Sequence, residues 1–326
     1  MFPWLARRLL SSLLMIVLLM TMVFAVVRLA PGDPLEAGVV ETVESRDREL
    51  LRQRLGLDEP LADQYLRWVA GSLRGDWGTS LRQQRPVVDI VREAAGPTLL
   101  LSLTAWLLHL VLAVAAAVVM AARRGSTLDH LVGGVGLVLL SLPGFWLGLM
   151  LTLLFARQLG WLPAGGMHGA DAALLPAGAR LLDLLRHLVL PTLTLALGSF
   201  MATARYTRAA LDEALGQDFI LAARARGIGE RRLLWRHALP HALLPLVTLA
   251  GLQLPQLLGG AVVIEVVFGW PGLGRVAVEA IGARDYPVVM AVTLLSAVLV
   301  TAGSLLADLG YRRADPRVGL SDGVTP

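Results

Sequence analysis

Six stretches of the chain, 9–27, 98–122, 131–156, 188–205, 242–264 and 287–307, are apolar almost without interruption, and nearly all of the charge lies between them. A helix needs about 18–20 such residues to cross roughly 30 Å of hydrocarbon, where lipid offers the backbone no hydrogen-bond partners of its own. At 1.5 Å per residue the first stretch reaches about 28 Å, which is just sufficient. The pattern predicts an all-α polytopic membrane protein with six transmembrane helices. The fifth stretch holds Pro245, Gly251, Pro255, Gly259 and Gly260. A membrane helix accepts these only where neighbours or a cavity satisfy the freed backbone groups, so this helix belongs inside a bundle.

Arginine is distributed unevenly between the stretches. Arg7 and Arg8 precede the first, Arg123 and Arg124 sit in one short connection, Arg205 to Arg236 fill another, and Arg312, Arg313 and Arg317 lie in the tail. Basic connections stay on the cytoplasmic side. An even helix count then places both termini inside and segments 31–96, 158–186 and 265–286 outside. A basic start before an apolar run also marks a cleaved signal peptide, but no small-residue cleavage site follows Phe24, so a retained helix is expected. The expected organisation is a first helix at 1–30 with a cytoplasmic N-terminus, an extracytoplasmic cap at 31–96, a five-helix core at 97–309 and a cytoplasmic tail at 310–326. Within the cap, Leu51, Leu55, Leu57, Leu66, Trp68 and Val69 make amphipathic stretches between the breakers Gly56, Pro60, Gly75, Gly78 and Pro86, which predicts a small helical unit.

Composition narrows the function classes. The 326 residues are 56% hydrophobic and 17% charged, with a mean hydropathy of +0.65, which is too apolar for one soluble domain. All 29 basic residues are Arg, and no Lys or Cys is present. Disulfides and thiol-based metal or redox centres are therefore excluded, and so is a phosphate-binding G-x-x-x-x-G-K-[ST] loop. A sequence pI near 10.2 could point to nucleic acid, but the arginines flank apolar spans instead of forming a patch interleaved with aromatics. Membrane lipid, not nucleic acid, is the expected contact, and no cofactor is expected.

The inner loop 206–241 is too long for a connector and carries Arg208, Arg224, Arg226, Arg231, Arg232 and Arg236. Phe219, Ile220, Ala223, Ala225 and Ile228 recur near helical spacing, Gly227 and Gly229 break the chain, and Leu233, Leu234 and Trp235 start a second apolar segment before Pro240. A helix, a turn and a helix lying against the membrane are expected. On composition alone an Arg-rich helix resting on anionic headgroups explains the loop equally well.

Here the sequence resembles a known family, the inner-membrane permeases of binding-protein-dependent ABC importers, in the branch that moves dipeptides, oligopeptides and nickel. The family signature runs E-A-A, three residues, Gly, nine residues, I-x-L-P. Leu221, Ala222 and Ala223 stand in the first places, Gly227 in the fourth, and His237, Ala238, Leu239 and Pro240 at the end, with both spacings kept. Leu221 replaces Glu and His237 replaces Ile, whereas Ala223, Arg224, Ala225, Arg226 and Gly227 match the branch's A-R-A-K-G-like run. R-L-A-P-G-D-P at 28–34, L-G-L-D-E-P-L at 55–61, Q-Y-L-R-W at 64–68, G-D-W-G-T-S at 75–80, V-I-E-V-V-F-G-W-P-G-L-G at 263–274, R-D-Y-P-V-V at 284–289 and D-P-R at 315–317 also look like this branch. The resemblance implies a type I importer permease fold in a bacterial inner membrane. It also implies a second permease subunit, the same or different, two separate ATPase subunits and an external solute-binding protein, with loop 206–241 as the coupling helix that docks on an ATPase.

Other residues admit sharper readings. His237 and His241 stand four apart, a spacing that could gather a metal, although no Glu follows the first and Pro240 interrupts the turn. His109 is polar at membrane depth. Phe268 and Trp270, beside Pro271 and Gly272, suggest an aromatic clamp or an interfacial anchor, and Asp33, Asp76 and Asp285 suggest a cation site or simple caps. An ion-coupled carrier would carry intramembrane carboxylates, yet the predicted spans lack Asp and Glu until Glu265 and Asp308 at their edges.

Overall fold

The computed structural model describes residues 2–29 and 59–314. Its helices are α1 (Phe2–Leu29), α2 (Leu61–Leu73), α3 (Val87–Ala122), α4 (Thr127–Ser141), α5 (Gly144–Leu151), α6 (Ala177–Leu197), α7 (Phe200–Leu215), α8 (Asp218–Ala225), α9 (Leu239–Val267), α10 (Leu273–Gly282) and α11 (Tyr286–Ala314). A π-helical turn, Thr152–Gln158, prolongs α5, and another, Leu233–Ala238, leads into α9 after the short helix Glu230–Arg232. The one β feature among the described residues is an isolated bridge between Thr79 and Pro86. Leu51, Leu55, Leu57 and Asp33, and most of the motifs at 28–34, 55–61 and 315–317, lie outside the described residues.

Among the described residues three helical stretches, Ala6–Leu29, Val87–Ala122 and Tyr286–Leu309, are each long and apolar enough to cross a membrane, and two bent pairs raise the number to five. The remaining expected span, 242–264, falls within α9, whose 29 residues extend about 43 Å. The span expected at 131–156 is not straight: α4 and α5 meet at 109°. Pro143 follows Leu142, and proline forces the residue before it out of the helical region, here to φ −82° and ψ 137°. A second bend of 54° separates α6 from α7, beside Gly198 and Ser199. The span expected from 98 begins at Val87, so the first turns of α3 take in Asp89 and Glu93. The helices α4 and α6 likewise include Asp129 and Asp183, carboxylates that the narrower predicted spans left out.

The chain divides into two compact units. The first comprises residues 1–98 and 271–301. Val87, Ile90, Val91 and Ala94 form one stripe of α3 and pack on Leu273 and Ala280 of α10 and on Val288, Ala291 and Val292 of α11. The stripe repeats at three and four residues, which is what puts these side chains on one helix face. A smaller cluster joins Phe24 and Val27 to Met290, with Tyr65 and Trp68 against it.

The second unit comprises residues 99–270 and 302–326. Its helices meet largely through small residues, Ala105, Ala113, Ala117, Ala196 and Ala204, all fully buried. Lipid tails are as apolar as leucine, so close backbone approach and dispersion, not water expulsion, hold such helices together. Gly251 in α9 illustrates this: a Cβ added there would collide with Ala307 of α11.

Candidate functional site: the inner loop

Helix α8 is short and two-sided. Ile220 and Ala223 are fully buried against Ala117 and Val118 of α3, Leu211 and Ala214 of α7, and Leu233, Leu234 and Ala238 of the π-helical turn. The opposite side presents Phe219, Leu221, Ala222, Ala225 and Arg226, all exposed. Leu221, at the position of the family's acid, is 53% exposed, and Trp235 is 52% exposed nearby in sequence. An apolar strip with basic residues at its end is thus held out from the bundle.

The turn after α8 has full capping geometry. The Ile228 N–H donates to the Ala223 carbonyl at 3.3 Å and the Gly227 N–H to the Arg224 carbonyl at 2.9 Å. These are the paired 6→1 and 5→2 bonds that close a helix C-terminus, and they require a left-handed residue at the position of Gly227. Gly227 has φ +80°, and a Cβ there would meet nothing within 4 Å. Backbone strain, not crowding, therefore selects glycine. Ile228 packs beside Ala223, adding the apolar contact that accompanies this cap.

An ion pair closes the turn from outside. Arg224 Nε lies 2.5 Å from Glu230 Oε1, and Nη2 donates to Oε2 at 3.0 Å. The guanidinium holds the Glu230 carboxyl below its usual range, and the carboxylate raises Arg224 in turn. Arg224, one of the loop arginines of the family-like run, is thus engaged within the loop itself. His237 is half-buried and Leu239 buried where α9 begins, while Pro240 is exposed. His241 does not pair with His237 but packs its ring 4.8 Å from that of Phe219.

At the start of the loop, Arg208 of α7 grips Asp129 of α4 with both arms, Nη1–Oδ1 at 2.6 Å and Nη2–Oδ2 at 2.9 Å, and Asp129 also accepts the Gly125 N–H at 2.9 Å. This carboxylate is therefore structural. His109 is fully buried, with Nδ1 2.9 Å from Ser199 Oγ and Nε2 2.9 Å from Thr203 Oγ1. Two hydroxyls at the α6–α7 bend satisfy both ring nitrogens, and a neutral imidazole suffices.

Two sequence readings need correction. Trp270 and Phe268 are buried in the core beside Leu101, Leu188 and Ile264, and the Phe268 carbonyl accepts the Gly166 N–H at 2.7 Å, so they form neither an exposed clamp nor an interfacial anchor. Asp285 is likewise buried. It accepts the Ser80 hydroxyl at 2.5 Å and the N–H groups of Leu81 and Arg82 at 3.1 and 3.3 Å, joining two motif segments about 200 residues apart in the chain. Asp76 caps its own loop, accepting the Gly78 N–H at 3.1 Å. Neither these partners nor the Arg224–Glu230 and Arg208–Asp129 pairs were found from sequence, which gives no distance between residues of opposite charge on different elements.

A family model for the inner membrane component of binding-protein-dependent transport systems matches residues 91–320, and one for the N-terminal part of such membrane components matches residues 1–104. The chain is 37% identical over 319 residues to the oligopeptide transport system permease protein AppB of Bacillus subtilis (strain 168), covering 98% of this chain and 99% of that one. It is 34% identical over 318 residues to the glutathione transport system permease protein GsiC of Escherichia coli (strain K12), again covering 98% and 99%. Among solved structures, an inward-facing form of the MetNI methionine ABC transporter matches 69% of this chain and 96% of that one with a TM-score of 0.55 at 20% identity, a likeness of fold.

Proposed function

The chain belongs to the family of inner membrane components of binding-protein-dependent transport systems, and on that premise we propose that it forms half of a translocation pathway for short peptides. It is a multi-pass permease of a bacterial inner membrane and not an enzyme, and the system to which such a component belongs includes separate ATPase subunits and a binding protein. Peptide as cargo is supported by near full-length similarity to permeases named for oligopeptide and glutathione transport. Nickel or another small solute is the competing cargo, and the two differ in a direct assay. Vesicles holding the chain with its partner permease, ATPases and binding protein are expected to take up labelled dipeptide on ATP addition. Uptake of nickel without dipeptide would overturn the peptide reading.

We assign coupling to loop 206–241. The carrying observation is a rigid element with an outward apolar strip, Leu221, Ala222 and Ala225, anchored at both ends. The buried Ile220 and Ala223 fix α8 to the bundle, and the Gly227 cap and the Arg224–Glu230 pair set the angle to the next helix. Only a stiff lever passes a displacement of an ATPase surface to membrane helices. The partner permease, the same chain or a related one, completes the pathway in this proposal. Cross-linking a cysteine placed at Leu221 to the ATPase in the assembled complex tests the assignment, since a pure lipid-contact helix gives no such product.

A further inference from the structure

The family-like segments outside the inner loop converge. Arg28, residues from 64–68, residues from 75–80, and Tyr286 and Pro287 all contribute walls to one cavity of about 470 Å³ in the first unit. A volume of this order is typical of small-molecule sites. Three arginines line it, Arg28, Arg67 and Arg74, with the aromatic rings of Trp68, Trp77 and Tyr286. Arg67 is paired with Glu59, and Asp76 is the one lining carboxylate among the described residues. Arg28 and Arg74 together therefore exceed the remaining negative charge by one. The Arg28 guanidinium lies over the Phe24 ring, Cζ 5.6 Å from its centroid, and its buried Nε has no hydrogen-bond partner among the described residues.

The cavity also sits at a defined depth. Arg28 is in the last turn of the span Ala6–Leu29, and Tyr286 is the first residue of the span Tyr286–Leu309, so both apolar helices end at the cavity. Trp, Tyr and Arg at such ends occupy the headgroup layer. Below it, between α1 and α11, is a crevice of only about 10 Å³ lined by Leu19, Met20, Val23, Thr293, Leu294 and Ala297, which shares Trp68 and Met290 with the cavity.

We propose that this cavity binds the phosphodiester headgroup of an anionic phospholipid whose acyl chains stay in the surrounding bilayer. Guanidinium forks match phosphate oxygens in charge and geometry. The two apolar helices that end at the cavity carry it to the depth where lipid phosphate is the concentrated anion, and the cationic end of a zwitterionic lipid meets the surplus arginine. The site stands apart from the peptide reading, because it concerns lipid and not cargo.

The test uses the assembled transporter in nanodiscs of equal phosphatidylglycerol and phosphatidylcholine, released and weighed by native mass spectrometry. Retained phosphatidylglycerol is expected to exceed phosphatidylcholine several-fold. Arg74→Gln is expected to lower that excess and Arg28→Gln with Arg74→Gln to abolish it, while Arg92→Gln, exposed and outside the cavity, leaves it intact. An unchanged excess in the double variant overturns the proposal. So does displacement of the lipid by millimolar inorganic phosphate, which marks a free-anion site, or by a dipeptide, which marks a cargo site. If the double variant does not assemble, Arg74→Gln, at an exposed position, decides alone.

Discussion

At the residue scale, Gly227 separates two explanations that sequence spacing left joined, strain and crowding. Open space at its Cβ position leaves only the left-handed backbone, so substitutions should rank by their tolerance of φ near +80° and not by size. Gly227→Asn is expected to keep most transport, Gly227→Ala to lose part at a cost of about 1–2 kcal/mol to the turn, and Gly227→Val to lose most. Membrane abundance should stay near normal in all three, because the bundle does not depend on the turn. Uptake and ATPase co-purification measured together check this, and equal transport by the Val variant would refute it. His109 gives the opposite expectation. Its ring bonds to Ser199 and Thr203, so His109→Ala leaves the buried Thr203 hydroxyl without that partner at a cost of about 1–3 kcal/mol and lowers abundance and transport together. Loss of transport at full abundance would instead indicate a direct role in translocation. Sequence showed both residues, but not which physical constraint each answers.

At the element scale, the inner loop depends on pairs that tie helices together. Glu230 has its carboxyl held low by Arg224, so the pair's stabilisation is present above the ordinary Glu value of 4.5 and is lost as pH falls through the lower folded value. Both groups are exposed, so the effect is local, on the turn and not on the fold. Glu230→Arg is expected to weaken ATPase association, and adding Arg224→Glu to restore it, as read by co-purification at pH 7. Failure of the reversed pair to recover would show that Glu230 acts through something other than Arg224. The Arg208–Asp129 pair is deeper, and its two-armed geometry ties α4 to α7. Asp129→Ala is expected to destabilise by about 1.5–3 kcal/mol, measured as a lower unfolding temperature in detergent. The 109° break between α4 and α5 was readable in outline, since Pro143 cannot continue a helix, but the predicted single span 131–156 ignored it.

At the scale of the whole molecule, we propose that both termini lie inside, the arrangement that six spans and the arginine asymmetry together require. Reporter fusions at Ala170 and at Arg313 are expected on opposite sides, and the same side for both would break the six-helix topology. Absence of Lys removes the phosphate-cradling loop, so the isolated chain is expected to show no ATPase activity until partner subunits are added.

Membrane class and helical fold were determined by sequence alone, because hydrocarbon permits so few backbone arrangements that a run of apolar residues long enough to cross it is already a structural statement. The motif on which the coupling proposal rests was legible for a similar reason. Ala222, Ala223, Gly227, Leu239 and Pro240 keep a fixed spacing along one continuous segment, and spacing within a segment survives in one dimension. Asp285 on Ser80, Asp129 on Arg208 and the meeting of Arg28 with Trp77 and Tyr286 around one cavity were decided only by the tertiary structure. Whether a carboxylate is solvated, capped or paired depends on what other elements bring within about 3 Å of it, and chain order carries no such distance. Trp270 was misread for the same reason: its sequence neighbours look like an outer loop, while its spatial neighbours, Leu101, Leu188 and Ile264, come from three other helices and bury it.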